Sequence, residues 1–229
     1  TLLPRQKSSL LAQLEVIIPR LANNDPIYPT LTERLKREKS GYIGEKSLDY
    51  YLNFFTKKIP LLHDARLEGK DNFFQIDSLL LFPNYFLIVE TKNYTGTIEY
   101  DDDSGMLIRR RNNGKVERFD DPLIQVNIQR YQLQRLLAKI NYSAIPIHTL
   151  VVFSNPNAIL QFKKHHPNLI TSQQLVKRIP ELHQQYPKKI VTNKETFRIG
   201  EALVKFHKPF HKYALQEYAI DHYRIQNGV

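Results

Sequence analysis

Short, strongly apolar runs bounded by turn residues mark the first half of the chain. Residues 73–82 and 85–91 are the strongest of these runs, and the Pro-Asn pair between them indicates a tight turn. We therefore expect two antiparallel strands that form a hairpin. Further strands are predicted at 61–67, 97–100 and 106–110. Together these segments predict a β meander.

Apolar residues at helical spacing precede the meander. A short helix is predicted over 9–17, followed by a proline-bearing loop. A Thr-Leu-Thr-Glu capping box then predicts a helix over 30–39. The Ser-Gly pair at 40–41 is expected to interrupt it before a further helix over 44–59.

The second half of the chain alternates helical and strand patterns. Pro122 is expected in the first turn of a long helix, and the apolar run 147–153 is predicted to be a central strand reached by a crossover. A short strand ending near Ile170, a helix to about residue 179 and a last helix over 195–206 follow. This order predicts an α/β fold with a mixed central sheet flanked by helices.

The same pattern divides the chain of 229 residues into three segments. We expect an N-terminal helical accessory segment (1–37), a core domain (38–180) and a C-terminal helical extension packed on the core (181–229). No apolar run approaches the roughly 20 residues of a transmembrane helix, and the first 20 residues do not resemble a signal peptide. The expectation is a cytoplasmic protein that does not associate with membranes.

Composition adds a partner class and restricts the metals. The 33 Lys and Arg outnumber the 23 Asp and Glu, which gives a formal net charge of +10. Such a charge attracts polyanions, of which nucleic acid is the commonest, although excess surface lysine alone would give the same number. Because the chain has no cysteine, any metal has to be bound by oxygen or histidine ligands.

Three charged residues fall where packing alone would not place them. Glu90 and Lys92 share parity at the end of the second hairpin strand, and Asp77 lies in the apolar middle of the first. With the turn centred between residues 83 and 84, Asp77 and Glu90 are expected to face each other, with Cβ atoms roughly 5 Å apart. Two opposed carboxylates repel each other unless a divalent cation lies between them, and Mg²⁺ prefers such oxygens.

The Glu-x-Lys string is weak evidence by itself. It occurs a second time, at Glu68-Gly69-Lys70, where a glycine-bearing turn favours solvated charge. Only the copy at 90–92 has an aspartate across a hairpin. That copy has two interpretations, an active site and a structural ion pair of Lys92. Glu45, at a predicted helix start, is likewise explained either by the helix dipole or by a role beside a metal.

These residues occur in an order that resembles a known family. The matching elements are Gly44-Glu45, Gln75-Ile76-Asp77, Glu90-Thr91-Lys92, Tyr94-x-Gly96-x-Ile98 and Asp121-Pro122-Leu123-Ile124-Gln125. Together they resemble the nuclease-related domain (NERD), a branch of the PD-(D/E)xK restriction-endonuclease-like superfamily. The resemblance covers about residues 38–180. It departs from the family only at Asp121, where the pattern has asparagine.

The resemblance implies a function and a set of roles. A core of four mixed strands would hold Mg²⁺ (or Mn²⁺) through Asp77, Glu90 and the Thr91 carbonyl, with Glu45 and Gln125 at its border. Lys92 would orient or stabilise the attacking water in the hydrolysis of phosphodiester bonds, most simply those of DNA. Under this interpretation the catalytic residues are Glu45, Asp77, Glu90, Lys92 and Gln125.

Two basic clusters are candidates for contact with nucleic acid. One is Arg109-Arg110-Arg111 and the other is Lys163-Lys164. Each is equally explained as a solvated edge that discourages strand pairing. A nucleic-acid-binding or assembly module with little turnover is the alternative function, and the absence of a phosphate-binding loop argues against an NTPase. The sequence does not specify the oligomeric state.

Overall fold

The computed structural model describes residues 1–69, 72–221 and 224–225. In these residues the helices are α1 (Ser9–Ile17), α2 (Tyr28–Leu52), α3 (Pro122–Lys139), α4 (Leu175–Gln185), α5 (Asn193–Lys205) and α6 (Ala214–Glu217). The strands are β1 (Leu61–Glu68), β2 (Phe73–Leu81), β3 (Phe86–Lys92), β4 (Gly96–Asp101), β5 (Met106–Arg110), β6 (Val116–Phe119), β7 (Ile147–Phe153), β8 (Ala158–Phe162) and β9 (Leu169–Thr171). Short 3₁₀ turns follow α1 and precede α4.

Nine strands form two mixed sheets within the described part of the chain. The larger has the order β1-β2-β3-β7-β9, in which the first three strands are antiparallel and the last two are parallel to β3. The smaller has the order β6-β5-β4-β8. Because β3 is buried on both faces, its residues from Phe86 to Glu90 form a continuous buried run, as expected for a central strand.

Helices cover both faces of the larger sheet. On one face, leucines of α3 and apolar residues of α5 pack with alternate residues of β1, β2 and β3. On the other face, Leu48 and Leu52 of α2 pack with Leu175, Ile179 and Leu182 of α4. The crossover from β3 to β7 passes through α3, so this helix is held next to the strand that carries Glu90. That arrangement is the restriction-endonuclease-like α/β fold expected from the sequence.

The chain separates into two compact units. The first comprises residues 1–5 and 44–208 and contains both sheets. The second comprises residues 6–43 and 209–229, and the core of its described part is formed by Leu10, Leu14, Ile17, Leu31 and Ala214 with their neighbours. The division into segments at 37/38 and 180/181 stays a prediction. No helix of the described residues is long and apolar enough to cross a membrane.

Most predicted elements are observed, but the break in the second helix is not. The prediction that Ser40-Gly41 interrupts it is wrong, because α2 continues from Tyr28 to Leu52. An exposed glycine costs a helix only about 1 kcal/mol, which the packing of a long helix readily offsets. No element was predicted for the short segments that form β6, β8 and α6. In the predicted turn at 68–72, residues 70 and 71 lie outside the described part.

The two glycines of α2 provide a matched stability test. A methyl group at Gly44 would overlap the Asn93 Cβ and lie 2.8 Å from the Ser154 Oγ, whereas one at Gly41 meets nothing within 4 Å. We expect Gly44→Ala to lower the free energy of unfolding by about 1–3 kcal/mol through overpacking. Gly41→Ala should raise it by roughly 0.5–1 kcal/mol through helix propensity. Urea titrations of both variants measure this, and equal effects of the same sign would contradict the close packing at Gly44.

Candidate active site

The hairpin of β2 and β3 brings together three of the predicted site residues, Asp77, Glu90 and Lys92. Its ladder runs from Leu81↔Phe86 to Ser78↔Val89, so Asp77 and Glu90 occupy the next position of the register that the sequence predicted. The ladder ends there. Asp77 turns to accept a hydrogen bond from the backbone N–H of Thr91 at 2.8 Å. This contact ties the aspartate to the strand that carries Glu90 and Lys92.

Glu90 is the most enclosed carboxylate of the site, with 4% of its surface exposed. Its Oε1 accepts hydrogen bonds from Lys92 Nζ at 2.9 Å and Gln125 Nε2 at 2.7 Å. Its Oε2 accepts a hydrogen bond from Gln129 Nε2 at 2.9 Å. Lys92 Nζ also donates to Gln125 Oε1 at 2.9 Å. The glutamate, the lysine and the two amides therefore form one connected network.

The start of α3 sets the position of both glutamines. Asp121 caps the helix, because its Oδ1 accepts from Leu123 N at 2.7 Å, and its Oδ2 accepts from the Tyr100 hydroxyl at 2.9 Å. Pro122 occupies the first turn, as predicted. Gln125 and Gln129 are one helical turn apart and share the face that meets Glu90. The aspartate at the family's asparagine position therefore performs the capping role.

A second polar group surrounds Arg5, whose side chain is only 4% exposed. We call it the Arg5 cluster, and it consists of Arg5, Glu45, Asp49, His63, Asp64 and Ser78. Arg5 Nη1 lies 2.7 Å from Glu45 Oε2 and 3.6 Å from Asp64 Oδ2. Arg5 Nη2 lies 3.2 Å from Asp49 Oδ1, 2.8 Å from His63 Nδ1 and 3.1 Å from Ser78 Oγ. Glu45 is thus held by a buried arginine.

Asp64 connects the two groups through the sheet. The β1–β2 ladder pairs His63 with Ser78 and Ala65 with Ile76, which puts Asp64 opposite Asp77 at a point where the ladder is interrupted. Asp64 has a φ of 48°, a left-handed conformation that aspartate adopts more readily than most residues. Carboxylates consequently follow one another across β1, β2 and β3.

This concentration of partly buried carboxylates shifts their pKa values. Burial, the negative charge of Asp77 and that of Asp64 raise the pKa of Glu45 to about 9, although Arg5 opposes the shift. Burial and the Glu90 carboxylate raise the pKa of Asp77 to about 8. Burial also raises the pKa of Asp64. Negative charge on Glu45 and Asp77 is therefore unfavourable without a compensating cation.

The pKa values of the two basic groups shift in different directions. Burial lowers the pKa of Lys92, but the Glu90 carboxylate outweighs this effect, so the net shift is upward and the side chain is a cation. Burial and the charge of Arg5 lower the pKa of His63 to about 4. His63 is therefore neutral and can accept the hydrogen bond from Arg5. Lys92 is a donor and not a base.

The donor chemistry of the site fits a hard divalent cation. A carboxylate offers roughly four acceptor positions, and the described contacts of Glu90 use two on Oε1 and one on Oε2. One position of Oε2 therefore remains. Thr91 Oγ1 and Gln129 Oε1 are buried oxygens without a hydrogen-bond partner in the described structure. In that structure no three Asp, Glu or His side chains form a ready-made metal group, so the ligands would include backbone or water oxygens.

The predicted basic clusters lie in different electrostatic surroundings. Arg109 and Arg111 both pair with Glu117, at 3.3 and 2.7 Å, and Arg110 pairs with Glu99 at 2.7 Å. Lys163 and Lys164 are exposed and have no ion pair among the described residues. They line a groove together with Lys177 and Arg178. A role of either cluster in binding nucleic acid stays a prediction.

Several polar residues of the site were not predicted from the sequence. Gln129 had a usable signal, since it is a polar residue on the buried face of α3 one turn after Gln125. Asp49 had a similar signal, one turn after Glu45 on α2. The signal of Asp64 was weaker, because β1 also contains the charged residues Arg66 and Glu68. Arg5 had none, because its partners are 40 to 73 residues away in the chain.

The raised pKa of Asp77 predicts a specific pH dependence of stability. In the unfolded chain this carboxyl ionises near pH 4, whereas in the folded protein it ionises near pH 8. Between these values folding retains a proton, so the metal-free protein loses stability as the pH rises. We expect Asp77→Asn to be at least about 1 kcal/mol more stable than wild type at pH 8 and to lose this advantage by pH 4.

Urea unfolding in the presence of a chelator, from pH 4 to pH 9, measures this difference. Asp103→Asn, in the exposed turn between β4 and β5, is the matched control and should follow wild type. An Asp77→Asn variant that is less stable than wild type across the whole range would contradict the unfavourable charge at this position.

Comparison with known families agrees with this geometry. No curated protein sequence matches the chain. The sequence model described as the nuclease-related domain (NERD) matches residues 40–154, which include Glu45, the β2–β3 hairpin and Gln125. The match spans half of the chain and ends just after β7. The chain therefore belongs to the nuclease-related domain family of the restriction-endonuclease-like superfamily.

Proposed function

We propose that the protein is a metal-dependent nuclease that hydrolyses phosphodiester bonds of DNA. The observation that carries this proposal is the Glu90 network, in which a buried carboxylate keeps one acceptor position next to Asp77 while three donors hold its other positions. Asp77, Glu90 and the Thr91 carbonyl would bind Mg²⁺ or Mn²⁺. The bound ion would polarise a water molecule and offset charge on the phosphate.

Lys92 has the properties of an electrostatic stabiliser. Two of its three N–H donors contact Glu90 and Gln125, which leaves one for a water or phosphate oxygen. Because its side chain is 17% exposed, this donor can reach a ligand. Its cationic state places positive charge where negative charge develops on the phosphorus oxygens. The lysine would therefore stabilise the transition state without removing a proton.

The two glutamines act on the position of Glu90 and Lys92. Gln125 is exposed and bridges both side chains, so it also could contact a ligand. Gln129 is buried and contacts only the carboxylate among these groups. Each amide donates a neutral hydrogen bond to Glu90, which orients the carboxylate without neutralising it. This orientation preserves the negative charge that binding of a cation requires.

The alternative function is a nucleic-acid-binding module with little turnover. The lack of a preformed three-residue metal group in the described chain supports it. Both functions use the same fold and the same basic surface, and they differ in divalent-dependent cleavage. The proposal of catalysis is favoured because a cationic lysine with a spare donor, beside two acidic residues that can bind a metal, can stabilise charge on a phosphate under attack.

Cleavage assays test the catalytic proposal directly. Lys92→Ala should lower Mg²⁺-dependent cleavage of plasmid and linear DNA by about 10²-fold or more, since transition-state donors contribute roughly that much. Lys205→Ala, an exposed lysine at the end of α5, should cleave like wild type. Binding of the same DNA should change little in either variant. Equal cleavage by Lys92→Ala and wild type, or wild-type cleavage that persists in a chelator, would refute the assignment.

The ion pairs predict a difference between the two basic clusters. Neutralising Lys163 and Lys164 should weaken DNA binding and lower its salt dependence, because unpaired lysines release counterions from phosphates. Neutralising Arg110 and Arg111 should have a smaller effect, because Glu99 and Glu117 already compensate them. Fluorescence anisotropy at several salt concentrations measures both slopes. A larger loss from the arginine pair would instead place the nucleic acid at the Arg109-Arg110-Arg111 cluster.

A further inference from the structure

The guanidinium of Arg5 is buried in a position that needs explanation. With 4% of its side chain exposed, it has lost almost all of its hydration, and that loss costs several kcal/mol unless polar partners replace the water. Glu45, Asp49 and Ser78 accept hydrogen bonds from it, and the neutral His63 does so as well. Because these four polar groups all contact Arg5, the side chain belongs to an organised polar site.

Backbone pairing fixes Arg5 in this position. Leu3 forms a parallel bridge to Leu62 of β1, the N–H of Leu2 donates to Leu61 O at 2.9 Å, and the N–H of His63 donates to Leu3 O at 2.9 Å. The side chains of Leu2 and Leu3 pack against the core of the larger sheet. Segment 1–5 therefore behaves as a short additional strand, and it places the Arg5 guanidinium beside the carboxylates of Glu45, Asp49 and Asp64.

The surroundings of Arg5 have the chemistry of a divalent-cation site. Three carboxylates, from Glu45, Asp49 and Asp64, lie within 3.6 Å of its nitrogens, and a hydroxyl completes the set. Hard oxygens of this kind and number are typical ligands of Mg²⁺ and Mn²⁺. The Asp64 Oδ2 that lies 3.6 Å from Arg5 Nη1 accepts no hydrogen bond in the described structure. The guanidinium is larger than a metal ion and keeps these carboxylates apart.

We propose that Arg5 permanently occupies a second cation position of the active centre, so that the protein binds one divalent ion where it would otherwise bind two. The inference rests on the proposed function for the first ion, at Asp77 and Glu90. Because Asp64 lies opposite Asp77 in the sheet register, the two positions are on neighbouring strands. Arg5 compensates the outer carboxylates without a diffusible ion, and the centre retains a single exchangeable cation.

Counting bound Mn²⁺ on the full chain tests the proposal without reference to activity. Electron paramagnetic resonance of free Mn²⁺ in equilibrium with the protein gives the number of bound ions. We expect one ion for wild type and two for Arg5→Met, which removes the guanidinium and keeps an unbranched apolar side chain of about the length of the aliphatic part of arginine. Glu90→Gln should bind none, and the Arg5→Met/Glu90→Gln double variant should bind one. Adding Asp49→Asn to Arg5→Met should return the count to one.

Two further variants control for nonspecific effects. Arg178→Met removes an arginine that is 12% exposed and, among the residues that the structure describes, forms an ion pair with one carboxylate, Glu181, and it should bind one ion like wild type. Arg5→Gln removes the charge but keeps hydrogen-bonding groups, so it provides the same test if Arg5→Met does not fold. Thermal unfolding with and without Mn²⁺ gives a second readout, in which the extra ion should stabilise both Arg5 variants more than wild type.

The outcomes separate this inference from the proposed function. Two ions in wild type, or an unchanged count in both Arg5 variants, would overturn the role of Arg5. No ion in wild type but one in Arg5→Met would support the role of Arg5 and remove the first metal from the proposed function. One ion in wild type and two in Arg5→Met would support both.

Discussion

The buried negative charge of Glu90 is the constraint on which the rest of the site depends. A carboxylate that is 4% exposed at the end of a central strand is tolerated only if donors replace its lost hydration. Lys92 supplies one donor from the same strand, and α3 supplies two from consecutive turns. The Asp121 cap and the apolar packing of α3 therefore serve the site as well as the fold, because they fix both amides at Glu90.

The distribution of cations explains why the charge of Asp77 is poorly compensated. Lys92 is engaged by Glu90, and Arg5 is engaged by Glu45 and Asp49. Asp77 accepts a backbone hydrogen bond from Thr91. It lies between Glu90 and the Arg5 cluster, and the cations of both groups contact other carboxylates. Burial and the charge of Glu90 consequently raise its pKa. An added cation would relieve the unfavourable charge at this carboxylate, which supports placing the exchangeable ion there.

Sequence patterns revealed the parts of the structure whose causes are local. Asp77, Glu90 and Lys92 were recognisable because charges are costly within apolar strands, and the Pro-Asn turn defined their register. The continuity of α2 through Ser40-Gly41 was not recognisable, since the packing that offsets a helical glycine is tertiary. The short strands β6 and β8 have only four and five residues, and both pair with longer neighbours. Arg5 was missed for the same reason, because nothing near it in sequence requires a buried cation.

The position of Arg5 also bears on what constitutes the functional domain. The family match begins at residue 40 and includes Glu45, Asp49 and Asp64 but not the arginine that compensates them. Removing segment 1–5 would leave three carboxylates around a vacated cation position and an unpaired edge on β1. Both consequences are unfavourable. The first is repulsion among the carboxylates, which a bound divalent ion would relieve. The part of the chain that matches the family model therefore defines where the acids lie, whereas a residue outside it determines how their charge is balanced.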